Sequence, residues 1–149
     1  MIQSVQEQEL VLTTNTDAIT FSDTDLRTRS ANCFNGWLNH NEGSATFNIL
    51  TGGIYEITFD ANITSATAGV VGIALFADGV KLNGTEMDQV ITTAGDYKDI
   101  STTKKIRVCG RGNVTITAQS VPAIVYDETS TTTQIPILKN INISIERMW

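Results

Sequence analysis

The chain has few of the residues that most often carry catalysis. Its single histidine is His40, whereas a nucleophile activated by a base needs a proton shuttle near neutral pH. His40 lies in the sequence HNEGS, which predicts an exposed turn histidine. The two cysteines, Cys33 and Cys109, are too far apart in sequence for a CxxC metal or redox motif. A disulfide, two buried thiols or an intersubunit contact remain open for them, with buried thiols favoured.

Positive charge is also scarce. Ten lysines and arginines face sixteen aspartates and glutamates, giving a net charge of -6. No basic stripe is available for phosphates, so neither nucleic acid nor an anionic membrane surface is an expected partner. Residues 1–10 lack the basic and apolar regions of a secretion signal, and no apolar run is long enough to span a bilayer.

Acidic residues do not form a recognisable reaction centre. Three carboxylate pairs are close in sequence, Asp23 with Asp25, Asp96 with Asp99, and Asp127 with Glu128. A glycosidase could use such a pair, but no aromatic platform accompanies them, and none follows the spaced pattern of a calcium loop. One histidine and two dispersed cysteines cannot supply a zinc site. We therefore expect no enzyme, no cofactor and no metal.

The residues that are abundant favour strands. Only two prolines occur, and Thr, Ile, Val, Asn and Gly are frequent, which predicts an all-β domain of short strands joined by turns. From Ile54 to Ile63 apolar and polar residues alternate, so that one face of a strand is apolar. That face carries Tyr55, Ile57, Phe59, Ala61 and Ile63.

The next predicted strand, Val70 to Ala77, is apolar on both faces. Its second face consists of Val70, Gly72, Ala74 and Phe76. A strand of this kind in an antiparallel protein needs a cover on each side, supplied either by its own chain or by another subunit. We expect another subunit, with the chain's own arm or polar loop as the alternative cover.

The remaining chain reads as strands and turns around this centre. Asp78-Gly79 predicts a tight turn that starts a hairpin, and Gly110 to Asn113 predicts a second hairpin between the flanking apolar alternations. The chain ends in an expected strand from Asn140 to Trp149. Residues 1–30 are interpreted as an extended arm that adds edge strands or docks on a neighbour, and residues 31–149 as the head domain.

The runs GGIYEITFDANITSATAGVVGIALFADGVKLNGT and GWLNHNEGSATFNI resemble the jelly-roll heads of the tumour necrosis factor and complement globular-head superfamily, in its bacterial and phage branch. The resemblance covers about Asn32 to Trp149 and implies a jelly-roll sandwich of about ten antiparallel strands that forms a homotrimer. We expect its interface to include Tyr55, Val70, Gly72, Ala74, Phe76 and Trp149.

These observations together predict a structural protein of a bacteriophage virion, made in the host cytoplasm. It would be a trimeric head auxiliary, decoration or fibre protein, attached to other virion proteins through its arm. The alternative is a module of a phage tail or bacterial surface that binds a receptor or carbohydrate through the loops Thr85 to Thr103 and Val121 to Gln134. These loops hold Tyr97 and Tyr126 as aromatic anchors.

Overall fold

A computed structural model describes residues 1–27, 37–123 and 133–149. Twelve strands occur in this part of the chain. They are β1 (Ile2–Gln6), β2 (Leu10–Val11), β3 (Asp23–Arg27), β4 (Leu38–His40), β5 (Phe47–Ile49), β6 (Gly53–Ser65), β7 (Gly69–Ala77), β8 (Val80–Lys81), β9 (Met87–Ile91), β10 (Lys98–Val108), β11 (Val114–Ser120) and β12 (Pro136–Arg147). Within the described ranges, no helix is long and apolar enough to cross a membrane.

Two six-stranded antiparallel sheets form a sandwich, which confirms the predicted all-β jelly-roll class. The first sheet has the order β10-β6-β12-β1-β3, with β2 pairing β12 at one end. The second has the order β4-β5-β11-β7-β8, with β9 also pairing β7. Consecutive strands β6 and β7 therefore lie in opposite sheets, and their inward faces meet in one core.

The alternation of β6 is confirmed residue by residue. Tyr55, Ile57, Phe59 and Ile63 are each fully buried, and Ala61 is nearly so. Their partners across the sandwich come from the inward face of the second sheet. These partners include Phe47, Ile49, Val71, Ile73, Leu75, Ile116 and Ala118.

A β-bulge in β12 keeps that strand in phase with the core. Lys139 pairs with Asn62 and Asn142 pairs with Asp60, so β12 has one residue more than β6 over this interval. Asn140 supplies the extra residue and has a φ of 51°, a left-handed conformation that asparagine tolerates better than most residues. Because of the bulge, the apolar positions on both sides of it point inward.

The predicted hairpin around Gly110 is wrong, although both of its strands exist. β10 pairs with β6 in the first sheet, and β11 pairs with β5 and β7 in the second. The turn thus carries the chain across the sandwich. Gly112, with a φ of 81°, lies directly against the backbone of Leu50 and Thr51, and a Cβ atom there would clash with it. The predicted turn at Asp78-Gly79 is confirmed, with positive φ at both residues.

The segment interpreted as an arm contributes to both the sheet and the core. β1 lies between β12 and β3, so it is an interior strand of the first sheet. Ile2, Leu12, Ile19 and Phe21 are buried in the common core. The proposed boundary at residues 30 and 31 lies outside the described residues, so the division into arm and head stays a prediction.

Candidate functional site

The second face of β7 is buried within the single chain at three of its four apolar positions. Val70 is 3% exposed, Ala74 is fully buried, and Gly72 is buried as well. A Cβ atom on Gly72 would lie 3.2 Å from a methyl of Val121 and 3.3 Å from Ala123. The chain's own segment after β11 therefore lies against this face of β7 at Gly72.

Tyr55 is also an interior residue. Its ring is fully buried beside Trp37, with a centroid separation of 5.7 Å. Its hydroxyl donates to the carbonyl oxygen of Thr51 at 2.7 Å. Burial, partly offset by the positive charge of Arg147, raises the pKa of Tyr55. In this conformation Tyr55 presents no surface to a partner, so its expected role at an interface has no support from its position.

Two of the six expected interface residues remain accessible. Phe76 is half-buried at the end of β7. Trp149 is 82% exposed and follows the last strand together with Met148, which is 42% exposed. The interface assignment stays a prediction, and among the residues named for it these two are able to contact another molecule.

The backbone of Trp149 is fixed although its side chain is exposed. Its main-chain oxygen accepts from the Ile54 amide at 3.2 Å and from Nε of Arg147 at 3.0 Å. The Met148 amide donates to the carbonyl oxygen of Ile54 at 2.8 Å, and Arg147 also donates to the Gly52 carbonyl at 2.9 Å. An exposed indole on a fixed backbone loses little conformational entropy when it binds, which is the property of an interface anchor.

Two polar depressions occupy the outer face of the first sheet, one on each side of the β12 bulge. The first has a volume of about 280 Å³ and is lined by Asp60, Ala61, Asn62, Asp99, Ile100, Ser101, Asn140 and Asn142. The second, of about 350 Å³, is lined by Val5, Gln6, Glu7, Asp25, Asn140, Ile141 and Asn142. We call this pair the bulge depressions. No lysine or arginine lines either one.

Hydrogen bonds order the side chains of the first depression. The side-chain amide of Asn140 donates to the side-chain oxygen of Asn62 at 2.8 Å. The side-chain amide of Asn62 donates in turn to the Asp99 carboxylate. The Asn142 amide donates to the Asp60 carboxylate at 3.2 Å. Each donor is an amide nitrogen, so the depression keeps carboxylate oxygens as acceptors for a polar ligand.

Sequence reasoning missed the bulge depressions because they combine residues from five strands. One signal was present. Leu138 and Ile141 are both apolar and are separated by two polar residues, Lys139 and Asn140, which breaks strict alternation. In a strand that alternates on both sides, such an interruption indicates a bulge.

An aromatic contact lies beside the first depression. The ammonium group of Lys139 is 4.0 Å from the ring centroid of Tyr97, and the Tyr97 hydroxyl donates to the Glu9 carboxylate at 2.8 Å. Burial, followed by the hydrogen bond and the charge of Glu9, raises the pKa of Tyr97 to about 12. Of the two predicted aromatic anchors, Tyr97 is thus engaged within the chain, and Tyr126 lies outside the described residues.

The predicted carboxylate pairs are not assembled into one site. Asp23 and Asp25 lie in β3, and Asp99 lies in β10. Asp127 and Glu128 lie outside the described residues. The described part of the chain contains no group of three His, Cys, Asp or Glu side chains able to hold a metal ion.

The expected states of the cysteine and histidine side chains need correction. Cys109 is a free, exposed thiol, not a buried one, because it follows β10 at the turn between sheets; Cys33 lies outside the described residues.

His40 is 2% exposed, so the prediction of an exposed turn histidine is wrong. It ends strand β4 and its ring is covered by Phe21 and Phe47.

Comparisons with known proteins support the fold. No protein-family model matches the chain, and no curated protein matches it. Among solved structures, the chain is similar to the globular domain of zebrafish complement 1qA protein. The two chains share 10% sequence identity with a TM-score of 0.65, over 99% of this chain and 96% of that one. The similarity extends over nearly the whole chain and shows that it has the jelly-roll fold of a complement globular head.

Proposed function

We propose that this protein is a structural head that assembles as a homotrimer, and that it forms part of a bacteriophage particle. The observation that carries the assembly proposal is Trp149, a largely exposed indole on a hydrogen-bonded backbone. Large exposed aromatic side chains are the commonest anchors of protein interfaces. The particle is the setting that the sequence resemblance implies.

The half-buried Phe76 is the second residue that we assign to the interface. It lies at the end of β7, next to the exposed β7–β8 turn. Phe76 lies in the second sheet and Trp149 follows the last strand of the first sheet, so a single flat contact does not explain both. In a ring of three subunits, each copy presents two different surfaces to its two neighbours, and this arrangement allows both residues to be buried.

Sedimentation velocity tests the assembly. The parent protein is expected to sediment with the mass of three subunits, whereas Trp149→Ala dissociates at low concentration because the indole anchor is lost. Val80→Ala is the matched control, since Val80 is 69% exposed on the neighbouring hairpin and is not assigned to the interface. A parent protein with the mass of one subunit at all concentrations would overturn the proposal.

The particle is tested separately. Mass spectrometry of purified particles, from a lysate in which the gene is expressed, is expected to find the chain in many copies. Its absence from particles would reject the virion setting and would leave the trimer measurement unaffected.

A second candidate function is recognition of a polyhydroxyl ligand such as a carbohydrate. The bulge depressions favour it, because carboxylate and amide side chains are suitable partners for hydroxyl groups. Calorimetric titration with a panel of neutral oligosaccharides tests this function. Asn142→Ala should weaken any binding, and Asn39→Ala, at an exposed position of β4, should leave it unchanged. No heat with any oligosaccharide, or equal loss in both variants, would reject this candidate.

A further inference from the structure

The single histidine of the chain is held in an aromatic site. The imidazole of His40 stacks on the ring of Phe47 with a centroid distance of 3.9 Å and an interplanar angle of 8°. Phe21 meets the imidazole edge-on at 6.2 Å. Nδ1 of His40 donates to the carbonyl oxygen of Thr46 at 2.9 Å. Nε2 is buried, and among the described residues it has no hydrogen-bond partner.

This geometry fits a neutral imidazole and disfavours a charged one. Protonation would place an N–H group at Nε2 with no acceptor among the residues that the structure describes, and a positive charge between apolar rings. The charged groups of the described chain that act on the ring are Arg27 from β3 and Glu42 from the turn after β4. Burial and then Arg27 lower the pKa of His40, while the hydrogen bond to Thr46 and the charge of Glu42 oppose this change.

Hydrogen bonds around His40 also hold residues 21–27 against the hairpin of β4 and β5. The Phe21 amide donates to the Ser44 carbonyl at 3.1 Å, and the Gly43 amide donates to the Phe21 carbonyl at 2.7 Å. The Thr24 amide donates to the Glu42 carboxylate at 3.2 Å. The Arg27 guanidinium donates to the carbonyl oxygen of His40 itself.

We propose that His40 is an acid-sensitive latch, and that protonation of its imidazole releases residues 19–27 from the β4–β5 hairpin. Phe21 is the link between the two events. Its ring contacts the imidazole and Phe47, at 5.3 Å from the latter, while its backbone carries two of the bonds that hold the segment. Displacement of the charged imidazole toward water separates these rings and leaves residues 19–27 with fewer contacts.

The direction of the pH effect follows from linkage. Because folding lowers the pKa of His40, the latched state binds fewer protons than the open state over the interval between the two pKa values. The latch is therefore fully closed above about pH 6.5, the ordinary pKa of histidine. It weakens as the pH falls, and the opening constant rises about tenfold per pH unit across that interval.

Hydrogen–deuterium exchange tests the latch in the full chain. The amides of Phe21 and Gly43 report the release, because their hydrogen bonds join the two segments. Their protection factors, which already correct for the intrinsic pH dependence of exchange, are compared between pH 7.5 and pH 5. They are expected to fall below about pH 6.5, while those of β6 and β12 stay constant. His40→Phe retains the stacked ring and cannot be protonated, so its protection factors should not depend on pH.

Two results would overturn the proposal. One is constant protection of the Phe21 and Gly43 amides in the parent protein, and the other is an equal loss in His40→Phe, which would assign the effect to carboxylates. Should His40→Phe not fold, an NMR titration of the parent decides, because its only imidazole signals belong to His40. The exchange midpoint must then coincide with the imidazole midpoint, and a mismatch rejects the latch.

Discussion

Tyr55 combines a fully buried ring with a hydroxyl group that must find an acceptor in the interior. The carbonyl oxygen of Thr51, just before β6 begins, provides it. The Gly52-Gly53 pair that follows lets other backbone segments approach closely, since a Cβ atom on Gly52 would clash with the carbonyl of Gly110. The start of the central strand is therefore fixed by one side-chain hydrogen bond and by two residues without side chains.

At the residue scale we expect Tyr55→Phe to destabilise the fold by about 1 kcal/mol, because the half-buried Thr51 carbonyl oxygen loses its donor while the ring volume is kept. Urea unfolding measures the change, with an unaltered m value as the sign that the transition is otherwise the same. Phe59→Leu is a useful comparison, since it alters packing in the same strand and touches no hydrogen bond. No loss of stability in Tyr55→Phe would contradict the observed bond.

A second residue-scale prediction concerns Ala74 and Phe76, which lie on the second face of β7. Ala74→Glu should cost about 4 kcal/mol or more, because it places a carboxylate where the single chain already excludes water. Phe76→Asp, at a half-buried position, should cost about 2 kcal/mol.

Thermal unfolding of the two variants, alongside sedimentation, separates folding from assembly. Ala74→Glu is expected to unfold the chain, and Phe76→Asp is expected to give folded subunits that no longer associate. A folded, stable Ala74→Glu variant would show that Ala74 is not enclosed by its own chain.

At the element scale, β12 depends on one extra residue. Deletion of Asn140 removes the bulge and restores strict pairing with β6, with Leu138, Ile141 and Ile143 still pointing inward. We expect this deletion to fold within about 1 kcal/mol of the parent, and to abolish the shared wall of the bulge depressions.

Deletion of Ser144 is the control, because it turns Ile145 outward and Glu146 inward. That variant should lose several times more stability in urea than the Asn140 deletion. Equal effects of the two deletions would mean that the bulge does not set the register of β12.

At the scale of the whole molecule, residues 1–27 pack into the same sheet and the same core as the later strands. They provide an interior strand and the buried side chains of Ile2, Leu12, Ile19 and Phe21. Each such side chain contributes about 1.5–3 kcal/mol by burial, or about 6–12 kcal/mol for four. This range is comparable with the whole stability of a domain, about 5–15 kcal/mol.

We therefore expect a chain of residues 31–149 to lack a cooperative unfolding transition in circular dichroism, although it contains the whole predicted head. Addition of a synthetic peptide of residues 1–27 at high concentration should restore part of the native signal. A truncated chain that unfolds cooperatively without the peptide would establish the arm as a separate segment.

Much of the secondary structure could be predicted from sequence because it is local. Alternation identified the buried face of β6, the Asp78-Gly79 pair identified the turn after β7, and β-rich composition identified the class. The interface and the site depend on contacts between distant segments. Whether the second face of β7 meets another subunit or its own chain at Gly72 depends on Val121 and Ala123, which are about fifty residues away in sequence.

The sequence by itself determined which residues are buried in most strands, because Cβ atoms alternate across a strand whatever its neighbours are. Only the tertiary structure decided that β10 and β11 belong to different sheets and that β1 lies inside one. It also decided that His40 is enclosed and that the bulge in β12 creates two depressions. These features arise where distant segments meet, and the free energy of such contacts depends on packing that no local pattern encodes.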